Sequence, residues 1–179
     1  MNLKMSLWKI LWPIRAWWQR GLEVGSIFPD FALREASGQE HSLSDNPKAK
    51  ITILWFTNFC EDCRSKIPML EGLLSEADDR YRVFAVSILK FDNPLPREIA
   101  SICSFPVLLD PKDIVANKLG LEHPPATCPI HNLFILGPQG RILYKRHLSA
   151  LGPEAFCTVW RGLLVRQGVK HESVQKTKK

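Results

Sequence analysis

Ile51 to Phe56 reads ITILWF, a run of β-branched, aromatic and aliphatic side chains with no charge. A strand apolar on both of its faces is buried on both sides. That is the position of a central strand in a layered α/β sheet. Cys60 and Cys63 follow at once, and then Ile67, Leu70, Leu73, Leu74 and Ala77 recur at helical spacing over 60–78. Pro68 falls inside that span and is expected to kink the helix. The chain therefore commits early to a strand that runs straight into a helix, with two thiols at the junction.

The rest of the order agrees with such a sheet. Short strand-like pieces over 25–45 surround the turn signal Ser37-Gly38. Tyr81 to Leu89 reads as a second buried strand, 96–103 as a helix, and Pro106 to Leu109 as a short strand. Asp110 to Gly120 has a capping residue, a proline near its start and a glycine stop, and is expected to be helical throughout. Leu133 to Leu136 and Arg141 to Arg146 flank the turn Gly137-Pro138-Gln139-Gly140 as a hairpin. A final helix is expected over 153–166. Strands alternating with helices give an α/β class: a central mixed sheet flanked by helices, with an N-terminal β extension.

Charge separates the ends from this body. The formal charge of +6 is made of +4 in residues 1–20 and +5 in 161–179, which leaves the middle at −3. A nucleic-acid groove needs cations clustered on the folded domain, so that partner is set aside. Residues 1–21 place four Trp residues and several aliphatics with Lys4, Lys9, Arg15 and Arg20. They read as an amphipathic segment for a membrane surface, or as a helix packed on the chain's own domain or a second subunit. The uncharged run there is too short to span a bilayer and lacks a cleavage site. The expected organisation is this segment, one domain over 22–166, and a basic tail over 167–179. The expected location is cytoplasmic or peripheral on the membrane, with an anchored, outward-facing placement as the alternative.

Five cysteines, with one pair close in sequence, do not make a secreted disulfide framework. Cys60-Glu61-Asp62-Cys63 puts a thiol at a helix N-terminus, where unpaired N–H groups and the helix dipole favour a thiolate. The second thiol stands one turn later, placed to resolve a mixed disulfide. The flanking carboxylates of Glu61 and Asp62 lead us to expect a reductant or mild exchanger rather than a strong oxidant. Cys128 lies in Pro124-Pro125-Ala126-Thr127-Cys128-Pro129 and reads either as an inert loop cysteine or as a second resolving thiol. Zinc would need two more ligands, and Cys128 with His131 offers only a weak pair. Cys103 and Cys157 are expected as small buried hydrophobes. His41, His123, His147 and His171 show no partner pattern and read as surface or loop residues.

These motifs resemble the redoxin, or AhpC/TSA (alkyl hydroperoxide reductase / thiol-specific antioxidant), superfamily. Gly25-x-x-x-Pro29-Asp30-Phe31-x-Leu33 is similar to its opening. Cys60-x-x-Cys63-Arg64-x-x-x-Pro68-x-Leu70 resembles its TlpA-like thiol–disulfide oxidoreductases. Phe105 to Asp110, Lys118-Leu119-Gly120 and the hairpin Leu133 to Ile142 are similar to later family segments. The resemblance covers about 22–165 and implies a thioredoxin-like fold with Cys60 and Cys63 as the redox pair. It departs at Phe59, where thioredoxins carry Trp, and at Gly137, where an Asp is usual. The proline beside the disulfide has no clean match: His131 takes its place in one alignment, and Pro129 serves in part. Thr57-x-x-Cys60 also resembles a peroxidatic motif, with His131 where that motif needs an Arg.

Three functions follow as expectations. The first is exchange with a thiol or disulfide protein partner, with no metal or organic cofactor. The second is reduction of a hydroperoxide, in which Cys63 or Cys128 condenses with a Cys60 sulfenic acid. The third is a membrane-associated scaffold or redox sensor. Oligomeric state is left open.

Overall fold

The computed structural model describes residues 22–45, 50–75, 81–112, 114–121, 123 and 127–168. The amphipathic segment 1–21, Ala77, Pro124 to Ala126 and the tail 169–179 lie outside the described residues. Seven strands form one sheet in the order β2-β1-β5-β4-β3-β6-β7. They are β1 (Ala32–Glu35), β2 (Glu40–Ser42), β3 (Ile51–Thr57), β4 (Tyr81–Ser87), β5 (Val107–Leu109), β6 (Leu133–Leu136) and β7 (Ile142–Arg146). The central β3 runs parallel to β4 and antiparallel to β6. β1 joins antiparallel to β5 and to β2, so the N-terminal extension adds strands to the β5 edge. The expected mixed sheet is the observed one.

All seven residues of β3 are buried, and their alternation divides the core into two layers. Ile51, Ile53 and Trp55 face one cluster with Ile67, Leu70, Ile99, Phe156, Trp160 and Leu163. Leu54 and Phe56 face the other with Phe28, Phe84, Phe134, Ala116 and Leu119. Aromatic contacts hold the second layer together: Phe28 meets Phe134 edge-on at 5.2 Å between ring centroids.

The helices are α1 (Glu61–Arg64), α2 (Ile67–Ser75), α3 (Leu95–Ala100), α4 (Ile114–Lys118) and α5 (Pro153–Arg166). Two expectations are corrected. The helix after β3 does not bend at Pro68. It breaks earlier, at Ser65–Lys66, and Pro68 becomes the second residue of α2, where its missing N–H costs no bond. The segment after β5 is helical only over Ile114–Lys118. Asp110 does not cap a helix that starts beside it. Its Oδ2 reaches forward to accept from the N–H groups of Val115 and Ala116, at 2.9 and 3.0 Å. No described helix is long and apolar enough to cross a membrane.

Candidate active site

The junction between β3 and α1 is a built turn. Thr57 Oγ1 accepts from Phe59 N at 2.8 Å, and Asn58 Oδ1 accepts from Cys60 N at 3.1 Å. Short polar side chains that bond the backbone two residues on replace the strand ladder with a tight bend. Phe59 completes it in the left-handed region, at φ 54°. A bulky residue there stores on the order of 1–3 kcal/mol of strain. Burial holds it in place: Phe59 is 1% exposed and meets Trp55 edge-on at 5.5 Å. Trp55 is a fully buried packing residue of β3, as expected.

Cys60 emerges from this bend as the residue preceding α1, with extended backbone and an exposed side chain. Cys63, one turn later, is fully buried against the first core layer. An exposed thiol and a buried one thus stand one helical turn apart.

Cys128 joins them. Its Sγ lies 3.8 Å from Cys63 Sγ, and the sulfurs of Cys60, Cys63 and Cys128 all lie within 4.8 Å of one another. The loop before β6 brings it there, because β6 is the strand beside β3. Cys128 is half-buried and densely contacted. Asn58 N approaches it at 3.4 Å, and Thr57 Oγ1 stands at 3.9 Å. Its thiol donates to Asn58 Oδ1 at 2.9 Å. Hydrogen bonds from the Cys63 thiol, and then from His147, push Cys128 below the ordinary thiol range against the opposing effect of burial. The bond to Asn58 Oδ1 holds only while Cys128 keeps its proton, so ionisation turns that amide away. Cys63 is pushed up, first by its bond to Cys128 and next by burial.

Two further residues complete the pocket. Asn132 is fully buried. Its Nδ2 points to Cys63 Sγ at 3.7 Å, and its Oδ1 accepts from Leu148 N at 2.8 Å. His147 lies close enough to Cys128 to lower its proton affinity, and its Nδ1 stands 2.8 Å from Ser149 Oγ. His147 is a half-buried loop residue, as read from the sequence, with Ser149 as a ring partner that no motif signalled. It follows β7 directly, and β7 pairs with β6, so it stands at the sheet end that carries the cysteines. A polar Asn just before a fully apolar strand was the one sequence signal for Asn132.

The other expected site residues are placed as follows. Thr57 is fully buried, with its hydroxyl turned to Phe59 N and Cys128. Pro129 is buried beside Cys128, and the described residues contain no cis peptide bond. His131 is exposed, and among the described residues its ring makes no hydrogen bond to a cysteine. Partial desolvation and then Lys145 lower its pKa. Cys103 and Cys157 are half-buried rather than buried. Cys103 packs against the first core layer, as a small hydrophobe would.

Residues 24–145 match the AhpC/TSA family. The thioredoxin-like protein YneN of Bacillus subtilis (strain 168) is 28% identical over 109 residues, 58% of this chain and 64% of YneN. The chain thus spans under two thirds of that relative's length. The thiol-disulfide oxidoreductase ResA of Geobacillus thermodenitrificans (strain NG80-2) is 26% identical over 141 residues, 73% of this chain and 79% of ResA. Two solved structures share the fold. The thioredoxin domain of thiol-disulfide oxidoreductase BVU-2223 from Bacteroides vulgatus has TM-score 0.59 at 21% identity, covering 79% of this chain and 98% of that one. Peroxidoxin BcpB from Mycobacterium tuberculosis has TM-score 0.65 at 17% identity, covering 83% and 99%.

Proposed function

Because the chain belongs to the AhpC/TSA family, we propose that it is a thiol–disulfide oxidoreductase working through Cys60 and Cys63. The observation that carries this reading is the contrast between an exposed Cys60 and a fully buried Cys63 one turn away. The Cys60 thiolate attacks one sulfur of a partner disulfide. The S–S bond breaks, the partner's other sulfur leaves as a thiolate and takes up a proton, and a mixed disulfide remains. Cys63 then gives up its proton and attacks Cys60 Sγ. The partner's second thiolate leaves, and the chain ends with a Cys60–Cys63 disulfide. Two electrons pass from the pair to the partner, and the reverse sequence oxidises a partner dithiol.

The elevated proton affinity of Cys63 suits this order. It stays protonated while Cys60 reacts and releases its proton to solvent at the second step. A hydroperoxidase reading draws on Thr57-x-x-Cys60, with the Thr57 hydroxyl buried beneath Cys128.

The test pairs two oxidants. The reduced full-length protein is mixed with a protein disulfide or with hydrogen peroxide, quenched in acid, and its cysteines are mapped by mass spectrometry. Ready Cys60–Cys63 formation from the disulfide, with sluggish oxidation by peroxide, is expected. Cys63→Ser should accumulate the mixed disulfide at Cys60, and Cys60→Ser should form none. Fast, near-stoichiometric peroxide oxidation of Cys60 would overturn the reading in favour of a peroxidase.

A further inference from the structure

Exchange in the C-x-x-C pair needs two sulfurs, but the pocket holds three. Their arrangement is informative. Every pair of them lies within 4.8 Å, close enough for all three to reach one shared centre. Four-coordinate zinc with Zn–S bonds of ~2.3 Å separates its sulfurs by about 3.8 Å. The Cys63–Cys128 separation is 3.8 Å.

Three protein donors with a fourth position left to water are an established zinc arrangement, and Cys60 leaves one side of the triangle exposed. Charge favours a divalent ion over a monovalent one. Three thiolates with zinc(II) leave a net −1, whereas copper(I) leaves −2 beside Asn132, a neutral side-chain donor to sulfur.

From these observations we propose that the reduced protein binds one zinc(II) ion through the sulfurs of Cys60, Cys63 and Cys128, with the fourth position open to water. Binding releases to solvent the protons that the thiols still carry and changes no oxidation state. The ion enters from the side of Cys60, the one exposed member. Bound zinc occupies the reacting sulfur, so the metal-loaded form is a closed, reduced state. Forming a Cys60–Cys63 disulfide removes two of the three protein ligands and opens the site. The inference does not rest on the exchange reading. Zinc binding without exchange would leave it standing, and exchange without zinc binding would overturn it alone.

The experiment titrates reduced, metal-free, full-length protein with zinc against a colorimetric chelator under anaerobic conditions. One zinc per chain is expected. Cys128→Ser should weaken binding by about 100-fold or more, given that the loss of even an orienting neighbour costs about 10- to 100-fold. Cys103→Ser, a thiol outside the pocket, should bind as the native chain does. Alkylation mapping gives a second readout on the unmutated protein. Zinc should slow labelling of Cys60, Cys63 and Cys128 while leaving Cys103 and Cys157 unchanged. Zinc affinity in Cys128→Ser within about threefold of native, or equal labelling of Cys128 with and without zinc, would overturn the proposal.

Discussion

Replacing Asn132 by Ala removes an amide that ties three parts of the site together. Its Oδ1 is the acceptor for Leu148 N at 2.8 Å, and its Nδ2 is a donor to Cys63 Sγ at 3.7 Å. Both Asn132 and Leu148 are fully buried, so the freed N–H has no route to bulk water without local opening. A buried donor left without a partner costs about 1–3 kcal/mol. The long contact to sulfur, a weak acceptor, adds little. A water entering the space would recover part of the loss, which sets the expectation near 2 kcal/mol. That is a substantial share of the 5–15 kcal/mol typical of a domain. Urea unfolding under reducing conditions measures it: with a slope of roughly 1–3 kcal/mol per molar, the midpoint should fall by about 1 M. A loss under about 0.5 kcal/mol at unchanged slope would refute the claim that this amide is the sole partner of the buried N–H.

Phe59 tests the strained turn. Phe59→Ala should cost about 3–5 kcal/mol through the lost ring. Phe59→Gly should be less damaging by about 0.5–1 kcal/mol, because Ala in the left-handed region costs more than glycine's extra unfolded-state entropy. Urea midpoints that rank Ala above Gly would contradict the turn as described. Cys103 gives a pH prediction. Burial, followed by the nearby Glu71 carboxylate, pushes its thiol up to about 11 from an ordinary value of 9.0. The folded form keeps that proton after the unfolded chain has lost it. The associated stability is complete below pH 9.0 and is lost as the pH rises toward about 11. The native chain should therefore lose stability more steeply than Cys103→Ser over that window. Parallel urea-midpoint curves for the two would refute it.

Local patterns carried much of the fold. The apolar run ITILWF can only be satisfied by burial on both faces, and β3 is indeed buried along its whole length. Pro153, the helical spacing of Phe156, Trp160, Leu163 and Leu164, and the polar residues that follow bound α5 within the chain itself. The turn over 137–140 likewise announces the β6–β7 hairpin. Where local rules competed, sequence reading faltered. Pro68 breaks a helix interior but is tolerated in a first turn, and only the break at Ser65–Lys66 decides which applies. Asp110 caps adjacent helices in most settings, yet here its carboxylate reaches five and six residues ahead.

The C-x-x-C pair is an adjacency of one helical turn, so the sequence by itself determined that Cys60 and Cys63 meet at the end of a buried strand. The composition of the pocket around them depended on tertiary pairing. Cys128 and Asn132 reach the pair because β6 lies beside β3, and His147 because β7 lies beside β6. Those contacts span about 70 residues of chain, and no local periodicity encodes them. Strand order and register, set by which apolar faces bury together across the whole sheet, turned a scattered cysteine, asparagine and histidine into one site.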